Sequence, residues 1–288
     1  MKILLGRDDV NPDKLDNDGQ TPLWCAVKDG HEGMVEILLE RDEVNPDKPD
    51  NYGRTPLWCA AENGQERVVK TLLGRDDIDP DKPDQDGRTP LWCAAVNGHE
   101  EVVKILLGRH SVNPDSPDND GGIPLHHAAM NGYAGVVEIL LTRGEINPNE
   151  LDRTGRTPLW WAAMKGHEAV VEAILGRDDV NPDKPDIYGR TPLSSAAWNG
   201  HERVVKILLG RDDINPDKPD IDGRTPLWCA AVNGHEGIAK ILLGWGGISP
   251  DIPDIYGQAP LLCTAVRGHE GVVKILLDRD DISPDKPN

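Results

Sequence analysis

Residues 84–117, DQDGRTPLWCAAVNGHEEVVKILLGRHSVNPDSP, recur along the chain with a fixed period of 34 residues. Eight such units follow one another without an insertion, and they begin at Asp16, Asp50, Asp84, Asp118, Asp152, Asp186, Asp220 and Asp254. A fixed period of roughly 20 to 50 residues is typical of a solenoid, a propeller or an array, and not of a globular domain.

The first half of the unit predicts a turn followed by a short helix. The letters DQDG at residues 84–87 favour a type I turn, with aspartate first and glycine fourth. Thr89 can accept a hydrogen bond from a free backbone amide as the N-cap, and Pro90 suits the first helical position. Gly98 ends the helix, since glycine tolerates the left-handed backbone at a helix end.

The second half predicts another helix and a stiff connector. Val102, Val103, Leu106 and Leu107 recur at helical spacing, and the prolines in residues 112–117 favour an extended segment, not a third helix. One such helix pair cannot bury its apolar faces alone, so neighbouring units must stack into a continuous core. The predicted fold class is all-α, a solenoid of stacked helix-turn-helix units.

The residues that carry the unit resemble a known family. TPL at 89–91, AA at 94–95, NGH at 97–99 and LL at 106–107 together are similar to the ankyrin repeat, and the match recurs eight times. The resemblance implies L-shaped units with projecting β-hairpin-like turns and a concave face lined by turns and first helices. It also implies protein–protein binding. The near-identical copies look like long arrays in large fungal proteins.

Several positions depart from the family pattern without threatening the fold. The usual histidine after Thr-Pro-Leu is kept only by His126, and tryptophan takes its place at Trp24, Trp58, Trp92, Trp160 and Trp228. The connector makes the unit one residue longer than the commoner ankyrin repeat. Repeat four, with Ile123 in the threonine position, loses the N-cap, so we expect the weakest helix and a hinge there.

The predicted boundaries follow the period. They are a partial repeat at 1–15 and full repeats at 16–49, 50–83, 84–117, 118–151, 152–185, 186–219, 220–253 and 254–288. Residues 1–15 match only the end of a unit, and the chain stops without a polar terminal repeat. We therefore expect one segment of a larger multidomain protein, or a truncated reading frame.

Composition narrows the partners and the compartment. Lys and Arg total 31 against 50 Asp and Glu, a formal charge of −19, so nucleic acid and anionic membrane are poor partners. No apolar run is long enough to span a membrane. The apolar run in residues 1–7 is too short, and Arg7 interrupts it too early, for a signal peptide. The five cysteines, one per repeat at a shared position, read as small buried hydrophobes, which predicts an intracellular, cytoplasmic or nuclear protein.

Two neighbouring repeats differ in bulk at the same positions. Repeat five carries Trp160 and Trp161, whereas repeat six carries Ser194 and Ser195. One interpretation is compensating core packing. The other is a pocket at the junction of repeats five and six that admits a side chain of a partner.

In the ankyrin pattern, turn tips and the outer side of the first helix contact a partner. On that mapping an apolar ladder runs along repeats four to eight, flanked by exposed isoleucine and tyrosine, and it consists of Met130, Met164, Trp198, Val232 and Val266. The predicted partner-binding residues are Tyr52, Arg88, Met130, Arg156, Trp161, Met164, Ile187, Tyr188, Arg190, Trp198, Ile221, Val232, Ile255 and Tyr256. The alternatives are that the apolar residues fold down between repeats, and that the arginines pair with neighbouring aspartates.

The spacing of the candidate residues does not fit a metal site or a catalytic site. The Asp-rich turns do not place oxygen ligands where a calcium loop needs them, and the recurring histidines are too far apart to share a metal. We expect those histidines to bond backbone atoms between units. No phosphate loop, nucleophile elbow or triad is present in the sequence, so we predict no enzyme and no cofactor.

The sequence therefore predicts a non-catalytic scaffold that binds a protein partner on its concave face, as a monomer. Two alternatives stay open. One is a structural spacer or an array that associates end to end, and the other is an acidic array that binds cations.

Overall fold

The computed structural model describes residues 11–143 and 145–279. Within these residues the secondary structure is entirely helical, with sixteen short helices and no strand, so the predicted all-α class is confirmed. In chain order they are α1 Pro22–Lys28, α2 Glu32–Leu39, α3 Pro56–Glu62, α4 Glu66–Leu72, α5 Pro90–Val96, α6 Glu100–Leu107, α7 Pro124–Asn131, α8 Ala134–Thr142, α9 Pro158–Lys165, α10 Glu168–Leu175, α11 Pro192–Asn199, α12 Glu202–Leu209, α13 Pro226–Val232, α14 Glu236–Gly244, α15 Pro260–Arg267 and α16 Glu270–Leu277.

The chain divides into two compact bodies, and the division falls within repeat four. The first body is Met1–Ala128 with Gly135–Ile146, and the second is Ala129–Ala134 with Asn147–Asn288. The partial repeat predicted at 1–15 lies mostly outside the described residues, as does the end of repeat eight. The hinge expected in repeat four stays a prediction.

Within each body, equivalent helices of successive repeats pack side by side. In the first body α1, α3 and α5 form one layer and α2, α4 and α6 the other. In the second body α9, α11, α13 and α15 form one layer, and α10, α12, α14 and α16 the other. This is the stacking that a helix pair with one apolar face requires.

The core lies between the two layers. Leu91, Ala94 and Ala95 of the first helix are fully buried, and so are Val103 and Leu106 of the second. The alanines allow the helices to approach closely, while the leucines fill the space between the layers. Truncating one such leucine to alanine costs about 2–5 kcal/mol in a packed core.

Six of the eight first helices begin at the predicted threonine cap. The threonine Oγ1 accepts the backbone N–H three residues later at 3.1 or 3.2 Å, and this bond is made by Thr21, Thr55, Thr89, Thr157, Thr191 and Thr225. In repeat eight Ala259 gives no side-chain cap. In repeat four the N–H of Ile123 instead donates to Nδ1 of His126 at 3.2 Å, so an imidazole takes part in the helix start there.

In five repeats, the histidine that precedes the second helix ties that repeat to the one before it. His201 Nε2 donates to the carbonyl oxygen of Met164, 37 residues earlier, at 3.0 Å. The same bond joins His99 to Glu62, His167 to Met130, His235 to Trp198 and His269 to Val232. The expectation that the recurring histidines bond backbone between units is confirmed for these five, whereas His31 makes no such bond among the described residues.

The connectors form short turns and not the expected extended segment, because Asn45 and its equivalents accept backbone N–H groups two residues later. Carboxylates fix these turns. Oδ2 of Asp47 accepts the backbone N–H of Asp79 at 2.7 Å, and Oδ2 of Asp183 accepts that of Asn215 at 2.6 Å. Each of these bonds spans 32 residues and therefore links one connector to the next. The connector adds no third helix among the described residues.

Candidate functional site

The projecting turns are built by the first aspartate of each repeat. Oδ1 of Asp186 accepts the backbone N–H groups of Tyr188 and Arg190, both at 2.9 Å, while its own N–H donates to the Arg190 carbonyl at 3.0 Å. Gly189 closes the turn with a φ of 77°, a backbone conformation that favours glycine. The two residues after the aspartate are thereby held at the tip and point away from the helices.

The second body carries a line of exposed isoleucines at these tips, here called the isoleucine stripe. It consists of Ile187, Ile221 and Ile255, which are 59%, 63% and 61% exposed. Backbone bonds join the turns: Ile221 N–H donates to the Tyr188 carbonyl at 3.0 Å, and Ile255 N–H to the Asp222 carbonyl at 2.8 Å. The stripe is thus fixed in place although its side chains are open to solvent.

The first body uses the same tip position differently. Asn51, Gln85 and Asn119 occupy it, and each side-chain amide donates to the carbonyl of the equivalent residue one repeat earlier, at 3.2, 2.9 and 3.0 Å. In the first body this position serves the structure. An isoleucine side chain has no N–H to donate. The isoleucines of the second body therefore do not link successive turns through their side chains.

Tyrosines stand beside the stripe. Tyr188 and Tyr256 are both exposed, and the guanidinium of Arg190 lies 4.9 Å from the centre of the Tyr188 ring. In the first body Tyr52 is exposed at the equivalent tip, with Arg54 at 5.0 Å from its ring. The cation attracts the face of the ring at Tyr188 and at Tyr52, whereas Gln258 takes the arginine position beside Tyr256.

Two of the three predicted arginines pair with aspartates of their own turns, and Arg156 reaches an aspartate of the next turn. Arg88 contacts Asp86 at 3.1 Å and Arg190 contacts Asp186 at 2.6 Å. Arg156 lies over the Trp160 and Trp161 rings at 4.4 and 4.7 Å and reaches Asp186 at 3.8 Å, and the same kinds of contact recur at Arg54 and Arg224. These arginines therefore have a structural role whether or not they also contact a partner.

The ladder predicted along the first helices is interrupted. Trp198 is 42% exposed and Val266 is exposed, while Met130 and Met164 are half-buried. Val232 is only 2% exposed, so its prediction as a contact residue is wrong. Valine reaches less far from the helix than methionine or tryptophan, and α15 packs beside α13 and covers it.

Trp161 is held within its own repeat. Its indole N–H donates to Oδ2 of Asp152 at 2.9 Å, and its ring meets Trp160 edge to face at 5.3 Å. Burial alone would raise the pKa of Asp152, but the bonds from Thr154, Arg156 and Trp161 together lower it. Trp161 is half-buried, so only part of its ring is open to a partner.

The second body contains a pocket of about 320 Å³. Its position agrees with the interpretation that the difference in side-chain size between repeats five and six forms a pocket. It extends further than predicted, into repeat seven. Its lining includes Trp160, Met164, Ser194, Ser195, Trp198 and Arg224. The extension into repeat seven could have been predicted from Ser194, because five other repeats have a tryptophan at this position that would fill the space.

The cysteines are free thiols, and Cys59, Cys93, Cys229 and Cys263 are buried. Burial raises the pKa of Cys59 and of Cys229 to about 12. Among the described residues no three His, Cys, Asp or Glu side chains come together in a group that could hold a metal ion. No helix in this part of the chain is both long and apolar enough to cross a membrane.

Comparison with known proteins agrees with the geometry. A search of curated proteins gives no match. A family model described as ankyrin repeats (3 copies) matches residues 1–84, 76–152, 144–220 and 212–288, which together cover the whole sequence. With helix pairs that recur every 34 residues, turns joined by backbone bonds and this match, the chain belongs to the ankyrin repeat family.

Proposed function

We propose that the second body binds a protein partner through its turn tips, with the isoleucine stripe at the centre of the interface. The observation that carries this proposal is the exposure of about 60% at Ile187, Ile221 and Ile255 together, at one position of three successive turns. Ankyrin repeats are generally protein–protein interaction modules. Exposed apolar residues in one contiguous line are typical of an interaction surface.

The first body supports this assignment by contrast. There the same position holds amide side chains that bond to the preceding turn, so the fold is served by a polar residue at this place. Isoleucine gives up that bond and exposes an apolar side chain to water. A bound partner would remove the apolar surface of the isoleucines from water, and this burial would offset the lost hydrogen bonds.

The charge around the stripe indicates the chemistry of the partner. Asp186, Asp220, Asp222 and Asp254 begin or flank the three turns, and the chain as a whole carries a formal charge of −19. A segment that combines apolar side chains with lysine or arginine complements this surface. The tyrosines and Trp198 beside the stripe belong to the residue types that contribute most to binding energy.

The proposal treats the chain as a non-catalytic scaffold without a cofactor, inside the cell. Free, buried thiols favour a reducing compartment. The binding face is the one formed by turn tips and first helices, which is the concave face of ankyrin repeats. Nucleic acid and membrane surfaces are disfavoured by the negative charge.

The test is an affinity capture from source-cell lysate with three forms of the chain: the parent, the triple variant Ile187→Asn, Ile221→Asn, Ile255→Asn, and Trp245→Arg. Asparagine stands at this tip position in the first body, so the triple variant should fold. Trp245 is an exposed aromatic residue away from the turns, and arginine holds its position in other repeats.

We expect a protein that the parent and Trp245→Arg retain and the triple variant loses. Equal capture by all three would place the interface elsewhere. If no form captures a protein and light scattering shows a mass that rises with concentration, the alternative of an array that associates end to end is favoured instead.

A further inference from the structure

An indole fills one position in five of the repeats and always donates its N–H to the repeat that follows. Trp24, Trp58, Trp160 and Trp228 donate to the carbonyls of Arg54, Arg88, Arg190 and Gln258 at 3.0 or 3.1 Å. Trp92 donates instead to Oδ2 of Asp118, the first residue of the next repeat, at 3.0 Å. The acceptor is thus either of two oxygens in the next turn.

Repeat six lacks this indole. Ser194 stands in its place, and the serine hydroxyl donates to the Thr191 carbonyl at 3.0 Å, within its own helix. The pocket of about 320 Å³ lies at this point. Its volume falls at the lower end of the range for small-ligand sites, roughly 300–1,000 Å³.

The two residues whose equivalents supply the acceptor oxygens elsewhere both line this pocket. Arg224 and Asp220 both line it, and they correspond to Arg190 and Asp118 in the other repeats. Oδ1 of Asp220 accepts the N–H groups of Asp222 and Arg224 at 2.9 Å, and Oδ2 accepts no bond from the described residues. The guanidinium of Arg224 pairs with Asp222 at 2.8 Å and leaves Asp220 to the pocket.

The walls suit an aromatic ring that carries a polar group. Trp160, Met164 and Trp198 provide apolar surface. Ser195 also lines the pocket, and its Oγ is buried and has no hydrogen-bond partner among the described residues. A buried hydroxyl without a partner is costly, so a ligand that bonds to it gains from the bond.

We propose that the pocket at Ser194 is a binding site for an indole, which enters where five other repeats hold their own tryptophan and donates its N–H to the Arg224 carbonyl or to Oδ2 of Asp220. Resting on the proposed function, the natural occupant is a tryptophan side chain of the docked partner. Asp220 directly precedes Ile221 of the stripe, so one partner segment can reach both.

The test uses free indole and 1-methylindole with the full chain, followed by ligand-observed NMR so that the protein's own tryptophans do not interfere. We expect saturable binding of indole with a dissociation constant on the order of 1 mM, as suits so small a ligand. 1-Methylindole has no N–H to donate, and we expect it to bind at least about fivefold more weakly.

Two substitutions at one position control the result. Ser194→Trp fills the pocket with the chain's own indole, and we expect the dissociation constant of free indole to rise at least about tenfold and the melting temperature to increase. Ser194→Ala keeps the pocket open and should bind indole within about threefold of the parent. Circular dichroism confirms that both variants fold.

The inference is overturned if the parent shows no saturable indole binding, or if Ser194→Trp binds indole as the parent does. A partner that is lost with the isoleucine triple variant but retained by Ser194→Trp would leave the proposed function standing and overturn the tryptophan occupant alone.

Discussion

The indole N–H of Trp58 donates to the carbonyl oxygen of Arg88 at 3.1 Å and joins one repeat to the next. The same carbonyl also accepts the backbone N–H of Asp84 at 3.0 Å, so it keeps one donor if the indole is lost. The bond therefore adds to stability without being the sole support of a buried oxygen.

This arrangement predicts unequal costs for two substitutions at Trp58. Trp58→Phe keeps most of the buried ring and removes the N–H, so it should cost about 1 kcal/mol. Trp58→Ala also leaves a cavity and should cost about 3–5 kcal/mol. Urea denaturation followed by circular dichroism measures both. Equal costs would mean that the hydrogen bond, and not packing of the ring, dominates at this position.

Restoring a missing helix cap should stabilise repeat eight. Ala259 is the N-cap of α15 and offers no side-chain oxygen, whereas threonine caps the equivalent helix in six repeats. Ala259→Thr should raise the free energy of local opening of α15 by about 1 kcal/mol. Native-state hydrogen exchange of the α15 amides measures this change.

Threonine at the equivalent position of repeat four, Ile123→Thr, should instead lower the free energy of local opening of α7, measured in the same way. Ile123 is buried, and the His126 N–H that a threonine Oγ1 would accept already donates to the Ile123 carbonyl at 2.9 Å. Ile123→Thr therefore loses apolar burial without satisfying a new donor. If both substitutions stabilise, a threonine cap is missing in both repeats and the imidazole contact is of no consequence.

His127 should make the fold less stable as the pH falls. Burial lowers its pKa below 6.5, although Asp118, which contacts Nε2 at 2.8 Å, acts in the opposite direction. Below about pH 6.5 the unfolded chain therefore binds a proton at this residue before the folded chain does, and folding stability is lost.

A substitution at His127 isolates this contribution. His127→Cys introduces the residue that five other repeats carry there. The loss of stability between about pH 7 and pH 5 should be smaller in this variant than in the parent. His31→Gln, at an exposed position, is the control and should behave as the parent. An unchanged pH dependence in His127→Cys would contradict the assignment.

The thiols should react slowly in the folded chain. At pH 8, a thiol with a pKa of about 12, as at Cys59 and Cys229, is roughly one ten-thousandth thiolate, and burial also blocks access. Cys25 is half-buried, so iodoacetamide should label it first. Mass spectrometry of native and urea-unfolded samples gives the rates. Fast native labelling at Cys59 would show that repeat two opens readily.

Much of the fold follows from local signals in the sequence. Thr89, Pro90 and Gly98 mark a helix start and end by themselves, and the structure has α5 between them. The bonds from His201 and its equivalents were predicted because one residue type recurs at one position in the repeat. Periodicity and capping suffice for this level of structure.

The finer features of the site depend on how far each side chain reaches between repeats. Val232 continues the ladder in the sequence, but its short side chain lies beside α15 and is buried. The sequence analysis did not predict the hydrogen bonds made by the side-chain amides of Asn51, Gln85 and Asn119. These bonds join equivalent positions of successive repeats, and only the structure shows that those positions are close enough to bond. The exposure of the isoleucine stripe agrees with the sequence, whereas its contact with a partner stays a prediction.

The central claim is that the isoleucine stripe is where a protein partner binds, and the most direct test is the equilibrium affinity of the captured partner for the parent and for the triple isoleucine-to-asparagine variant. Each isoleucine should contribute roughly 1 kcal/mol of apolar burial, so affinity should fall about 100-fold, while Trp245→Arg stays within about threefold of the parent. An unchanged affinity in the triple variant, with the fold intact by circular dichroism, would contradict the account.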